Sequence, residues 1–147
     1  MYTVDASVWV NSFDQREPGH EVSRALLAVL GAQAIPLFLP TLALPEVAGA
    51  ISRSRGAPAE AQAFALAMSN LPNVTVTGLD AALASRAVSL AAQHGLGGAD
   101  AVYAAVAAQA GSTLVTLDSE QLTRVSGVIV TQTPSAALAA LVPPSRS

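Results

Sequence analysis

The sequence predicts an α/β fold, a single domain in which a parallel sheet is covered by helices on both faces. Two observations predict it. Short β-rich runs alternate along the chain with longer alanine- and leucine-rich helices, the order that builds parallel strands joined by crossovers. The acids that interrupt apolar stretches also fall at strand ends and helix starts, where sites in such sheets form. At 147 residues the chain is long enough to bury a core. Residues 1–141 are expected to form the domain and 142–147 a loose tail.

Each element has a local reason. Tyr2–Val4 is a short strand, and an apolar helix starts at Ser7–Phe13. A polar patch, Asp14–His20, leads into a helix over Glu21–Leu30. Ile35–Leu39, bounded by prolines, is expected as a buried strand. A helix follows over Leu42–Ser54, with Thr41 as its expected cap and Pro45 tolerated in the first turn. Pro58 opens the next helix, which ends near Pro72. Val74–Thr77 is a strand, and Asp80 caps a helix that runs to His94 and stops at Gly95. Gly97 and Gly98 separate it from a helix over Asp100–Ala110, closed by Gly111. Thr113–Leu117 is the clearest strand. It is followed by a helix over Ser119–Val125, a last strand over Val128–Val130 and a terminal helix over Pro134–Leu141.

Composition removes several classes of function. The formal charge is −3 and the pI about 5.1. Lysine is absent, and seven scattered arginines make no phosphate-tracking stripe. Without cysteine there is no disulfide, thiolate nucleophile or cysteine zinc site. Mean hydropathy is +0.47, and residues 25–45 approach the length of a membrane span. Gly31, Pro36, Pro40 and Pro45 break that stretch into a helix, a strand and a second helix. The N-terminus has an acid at Asp5 and no basic region, unlike a signal peptide. The expectation is a cytoplasmic protein with no membrane association.

Four carboxylates stand out: Asp5 in YTVDASVWV, Glu46 in LALPEVAGAI, Asp100 in GLGGADAVYAA and Asp118 in TLVTLDSEQL. A carboxylate beside a core costs about 2–5 kcal/mol unless it is hydrogen-bonded, paired or metal-bound. No arginine lies within a few positions of any of them. Each has a plain structural role available: helix caps for Asp5, Asp100 and Asp118, and an amphipathic surface for Glu46. Together they point further. Asp5 and Asp118 end the first and fourth strands, which are neighbours at the switch point of a sheet ordered 3-2-1-4-5. Glu46 and Asp100 start helices, where the dipole favours negative charge. Four converging acids repel one another, and a hard divalent cation removes the conflict.

VDASVWV, PEVAGAI, GLGGADAVYAAVA and LVTLD, in that order, resemble the PIN domain family, in particular the VapC-type toxins of toxin–antitoxin pairs. The resemblance runs from Tyr2 to about Val130. It implies a three-layer α/β/α fold with a parallel sheet of about five strands ordered 3-2-1-4-5. It also implies a metal-dependent endoribonuclease whose catalytic, metal-binding set is Asp5, Glu46, Asp100 and Asp118, holding one or two Mg²⁺ or Mn²⁺ ions. Ser7 and Thr116 match hydroxyl residues that would hydrogen-bond the site from behind, with a helix cap and a strand position as their alternatives. Arg53 and Arg55 are the candidates for RNA phosphate contacts, and Glu120 is a possible extra acid. The implied partners are an RNA substrate, a cognate antitoxin and, given the high apolar content, a second copy in a homodimer.

Other functions are weighed by residue. A haloacid-dehalogenase-like phosphatase needs an acid two positions after the first, where this chain has Ser7. A receiver-like domain needs a late lysine, and there is none. His20 and His94 are read as structural or solvated. A PIN-fold RNA-processing nuclease without a toxin role, and a non-catalytic PIN-like binding or dimerisation module, remain open alternatives.

Overall fold

The computed structural model describes residues 1–145. Thirteen elements follow the chain: β1 (Tyr2–Val4), α1 (Ala6–Phe13), α2 (His20–Ala32), β2 (Leu37–Pro40), α3 (Ala43–Arg55), α4 (Pro58–Ser69), β3 (Val74–Thr77), α5 (Ala81–His94), α6 (Gly98–Ala110), β4 (Thr113–Val115), α7 (Ser119–Arg124), β5 (Thr131–Gln132) and α8 (Pro134–Leu141). The five strands form one sheet in the order β3-β2-β1-β4-β5, and every pairing is parallel. β1 and β4 are therefore neighbours at the point where strand order reverses.

The inner strands β1, β2 and β4 are mostly apolar and buried because helices cover both sheet faces there, while the outer β3 and β5 are half-buried. Val4, Leu37, Leu39, Leu114 and Val115 lie in one core with Leu26, Leu30, Val47 and Tyr103. α6 packs across β1, β2 and β4, and α5 packs on α6. This gives α6 its run of seven consecutive buried residues, Ala101–Ala107. α1 packs on α2 and α3, and α2 on α8. The Trp9 indole N–H donates to the Val4 carbonyl at 3.2 Å, tying α1 back to the strand before it.

Four expectations are corrected. The last strand is Thr131–Gln132, not Val128–Val130. At 128–129 the chain is still closing the turn after α7, with both amides donating to the Val125 carbonyl. Val128 and Val130 are 57 % and 66 % exposed, and of this trio only Ile129 is buried. β4 stops at Val115, one residue before Thr116, whose amide still donates to the Gln132 carbonyl while its hydroxyl ties Asp5 to the Asp118 amide. Thr41 caps nothing with its side chain; its amide extends β2 by donating to Thr77. His20 is not in a polar loop but opens α2, buried, with Nδ1 at 2.8 Å from the Asn11 carbonyl oxygen.

The apolar stretch 25–45 resolves into the end of α2, β2 and the start of α3. Among the described residues no helix is long and apolar enough to cross a membrane. Of the expected tail, residues 146–147 lie outside the described residues.

Candidate active site

The carboxyl end of β1 delivers Asp5 directly into the N-cap of α1. One of its oxygens, Oδ2, accepts the Ser7 amide at 3.1 Å and the Thr116 hydroxyl at 3.3 Å. The cap is the local reason that a helix starts here. Asp5 is 7 % exposed and makes no ion pair among the described residues. Across the switch point, Asp118 caps α7, its Oδ1 accepting the amides of Glu120 and Gln121.

Thr116 joins the two. Its hydroxyl donates to Asp5 and accepts the Asp118 amide at 3.0 Å. Ser7 makes a parallel tie by accepting the Leu117 amide at 3.2 Å. Two hydroxyls thus fix the strand-end loop that carries Asp118 against the helix start that follows Asp5.

Glu46 and Asp100 enter from the first turns of α3 and α6. Burial pushes the Glu46 carboxyl up, the nearby Tyr103 hydroxyl opposes it, and the charges of Asp5 and Asp100 add to the rise. Asp100 is raised by burial first, then by Asp5, Asp118 and Glu120. The four acids therefore feel one another, as the topology at the switch point requires. Among the described residues no three His, Asp or Glu side chains form a ready-made metal cage. The acids share a field rather than a preformed shell.

Among the described residues no arginine forms an ion pair with any of the four acids. The ion pairs among the described residues are Arg16–Asp14, Arg55–Asp14 and Arg124–Glu120. Asp14 is held well below the usual carboxylate range, chiefly by the hydrogen bond from the Arg16 side chain. This pairing takes Arg55 away from the site, 3.1 Å from Asp14. Arg53, two turns after Glu46 on the same face of α3, lines the same surface as Glu46. Its guanidinium lies over Gly49, where an added Cβ would come within 3.1 Å of it. Glu120 turns outward to Arg124, at 3.8 Å, and reaches Asp100 only through its charge.

Two residues escaped the sequence reading. Tyr103 is fully buried and sits three positions after Asp100, on the same face of α6. Its hydroxyl and Glu46 Oε1 are both shielded without a fully formed hydrogen bond, although they lie close enough to shift each other's pKa. Burial and the Glu46 charge drive the phenol far above its ordinary value, so it stays protonated beneath the carboxylate. Gln121, also fully buried, donates from Nε2 to the Asp100 carbonyl at 3.3 Å and links α7 to α6. The three- and four-residue spacing of helices offered a signal for Tyr103. Nothing in the sequence pointed to Gln121.

The family model for the PIN domain matches residues 2–128. The chain belongs to the PIN domain family. Solved structures with the same fold include VapC20 from Mycobacterium tuberculosis, described as a sarcin–ricin loop cleaving toxin. It is 20 % identical, with 88 % of this chain and 97 % of that one covered and a TM-score of 0.73. FitAcB from Neisseria gonorrhoeae is 22 % identical over 91 % of this chain and 98 % of that one, at a TM-score of 0.67. A chain of VapBC2 from Rickettsia felis, bound to promoter DNA, is 18 % identical over 90 % and 97 %, at 0.66. Among curated protein sequences none matches. The order β3-β2-β1-β4-β5 makes β1 and β4 neighbours inside the sheet of this PIN domain, so Asp5 and Asp118 lie beyond the carboxyl ends of adjacent strands.

Proposed function

We propose that this PIN domain is a metal-dependent endoribonuclease acting as the toxin of a VapBC-type toxin–antitoxin pair. One observation carries the reading. The charge of Asp5 reaches both Glu46 and Asp100 and that of Asp118 reaches Asp100, raising those two carboxyls beyond what burial does, and among the described residues no ion pair neutralises any of the four.

The donors fit a hard divalent ion. They are all oxygens, they are negatively charged, and Glu46 Oε1 is buried without a formed hydrogen bond. Asp5, Glu46, Asp100 and Asp118 would hold Mg²⁺ or Mn²⁺, as one ion or two. When bound, such an ion polarises the scissile phosphate and lowers the pKa of water. The chain's own residues supply the frame. Thr116 fixes Asp5 against Asp118, the Tyr103 phenol backs Glu46, and Gln121 holds the Asp100 backbone. No serine–histidine–acid set stands beside them. His20 spends Nδ1 on Asn11, and Ser7 Oγ accepts a backbone amide.

The substrate class and partners belong to the same proposal. Arg53, which lines the same clefts as Glu46, would meet RNA phosphates. Beside Glu46, a groove of about 750 Å³ between α3 and α5–α6 carries the exposed Leu79 and Val88. Such an apolar surface suits an antitoxin segment, and apolar surface elsewhere suits a homodimer. The toxin and antitoxin named in the structural relatives support this assignment.

The test is cleavage of a fluorogenic single-stranded RNA by purified protein with Mg²⁺, Mn²⁺ or EDTA, beside Asp5→Asn. Cutting that needs the metal and is lost in the variant supports the reading. Metal binding without cutting of any RNA would favour the non-catalytic module.

A further inference from the structure

Next to the acids lies a second cleft, of about 370 Å³, between α1 and α3. Ser7 and Glu46 belong to both cleft and acid site. Ala6 and Ala50 leave its middle open, and Val10 and Leu117 give it apolar walls. The volume is in the range of small-ligand sites and admits one nucleobase.

Its charged lining is unusual. Glu17, from the loop between α1 and α2, and Arg53, from α3, both line the cleft, yet no ion pair joins them. Glu17 is anchored: Asn11, itself buried, donates from Nδ2 to Glu17 Oε2 at 3.1 Å and to the Pro18 carbonyl at 2.9 Å. The other oxygen, Oε1, accepts no hydrogen bond among the described side chains. An acceptor-only carboxylate and a donor-only guanidinium thus share one cavity without satisfying each other. The complementary ligand brings hydrogen-bond donors to one and an anion to the other.

We propose that this cleft is a base-specific subsite for guanosine beside the cleaved phosphate, with Glu17 reading the base and Arg53 taking its phosphate. The proposal rests on the endoribonuclease reading above. Bases of single-stranded RNA are read on their exposed Watson–Crick edges. A carboxylate accepts only, and guanine presents two adjacent donors, N1–H and N2–H₂. Adenine and cytosine place a ring-nitrogen acceptor beside their amine, and uracil flanks its N–H with two carbonyls. Those three bases would turn a lone pair toward Glu17. A good bidentate contact of this kind separates bases by roughly 5- to 150-fold.

The experiment measures kcat/KM with Mn²⁺ on uridine oligonucleotides carrying one guanosine, adenosine, cytidine or inosine at each position in turn. The wild type is expected to cut beside guanosine about tenfold faster than beside the other bases. Inosine lacks the 2-amino group and should lose most of that advantage. Glu17→Gln should lose the same preference, with inosine no worse than guanosine in that variant. A melting curve confirms that it folds, and the inosine series gives the readout on unaltered protein. Arg53→Ala should raise KM on all sequences alike. Cutting without guanosine preference, or a preference that survives in Glu17→Gln, overturns the subsite and leaves the nuclease standing. No cutting of any RNA overturns both.

Discussion

Asp5 takes both of its hydrogen bonds on one oxygen, Oδ2, from the Ser7 amide and the Thr116 hydroxyl. An asparagine can offer its carbonyl oxygen to the same two donors. Asp5→Asn should therefore fold, with a metal-free melting temperature equal to or slightly above that of the wild type. It should lose more than about a hundredfold in metal-dependent cleavage. Circular dichroism melts and cleavage rates on the same preparation check both halves. Glu46 makes a second residue-scale prediction through pH. Its folded pKa lies above the ordinary 4.5, so the folded state holds that proton more tightly than the unfolded one. The contribution of Glu46 to stability in EDTA is then most favourable below 4.5 and falls as pH rises through the window up to the raised value. Glu46→Gln should flatten that fall and be the more stable protein at neutral pH. Asp100 has the same sign of shift and leaves part of the slope in place. Asp14, held low, adds stability as pH rises towards its ordinary value, so the test lies above pH 4.5. Urea titrations there would contradict the account if wild-type stability rose and Glu46→Gln did not change the slope.

Among the elements, the helices were the most legible. Asp80 and Gly95 bound α5 as their chemistry demands: the Asp80 side chain accepts the Leu83 amide and Gly95 adopts a left-handed φ of 65°. The last strand misled because β-branched residues at 128–130 mimic a strand while the chain is still leaving α7. Ile129→Ala should cost about 2–3 kcal/mol, whereas Val128→Ala and Val130→Ala should stay within about 0.5 kcal/mol. Equal costs at all three positions, by chemical denaturation, would restore the strand at 128–130. The acids were legible for a different reason: a lone carboxylate in an apolar run is visible in one dimension. Tyr103 was not, since a tyrosine inside an alanine helix looks like core until Glu46 is seen facing its hydroxyl. Nor was the pairing of Arg55 with Asp14, which joins residues 41 positions apart. Glu17 stayed hidden in a polar patch, because only the packing of α1 against α3 makes the cleft that it lines.

Across the whole molecule, topology converts scattered acids into a site. The reversal of strand order between β1 and β4 brings residues 5 and 118 together, and the first turns of α3 and α6 add the other two. Such a site stores repulsion that a cation would release, so the metal should stabilise the fold itself. At a concentration about a hundred times its dissociation constant, Mn²⁺ should add about 2.7 kcal/mol and raise the melting temperature by roughly 5–10 °C, reversibly with EDTA. The measurement that tests the central claim most directly is a calorimetric titration of Mn²⁺ into EDTA-stripped protein, wild type beside Asp100→Asn. Saturable binding to the wild type, weakened at least about tenfold by that substitution, is the predicted result. An absence of binding, or binding of equal strength in both proteins, would contradict the assignment of these acids as a metal centre.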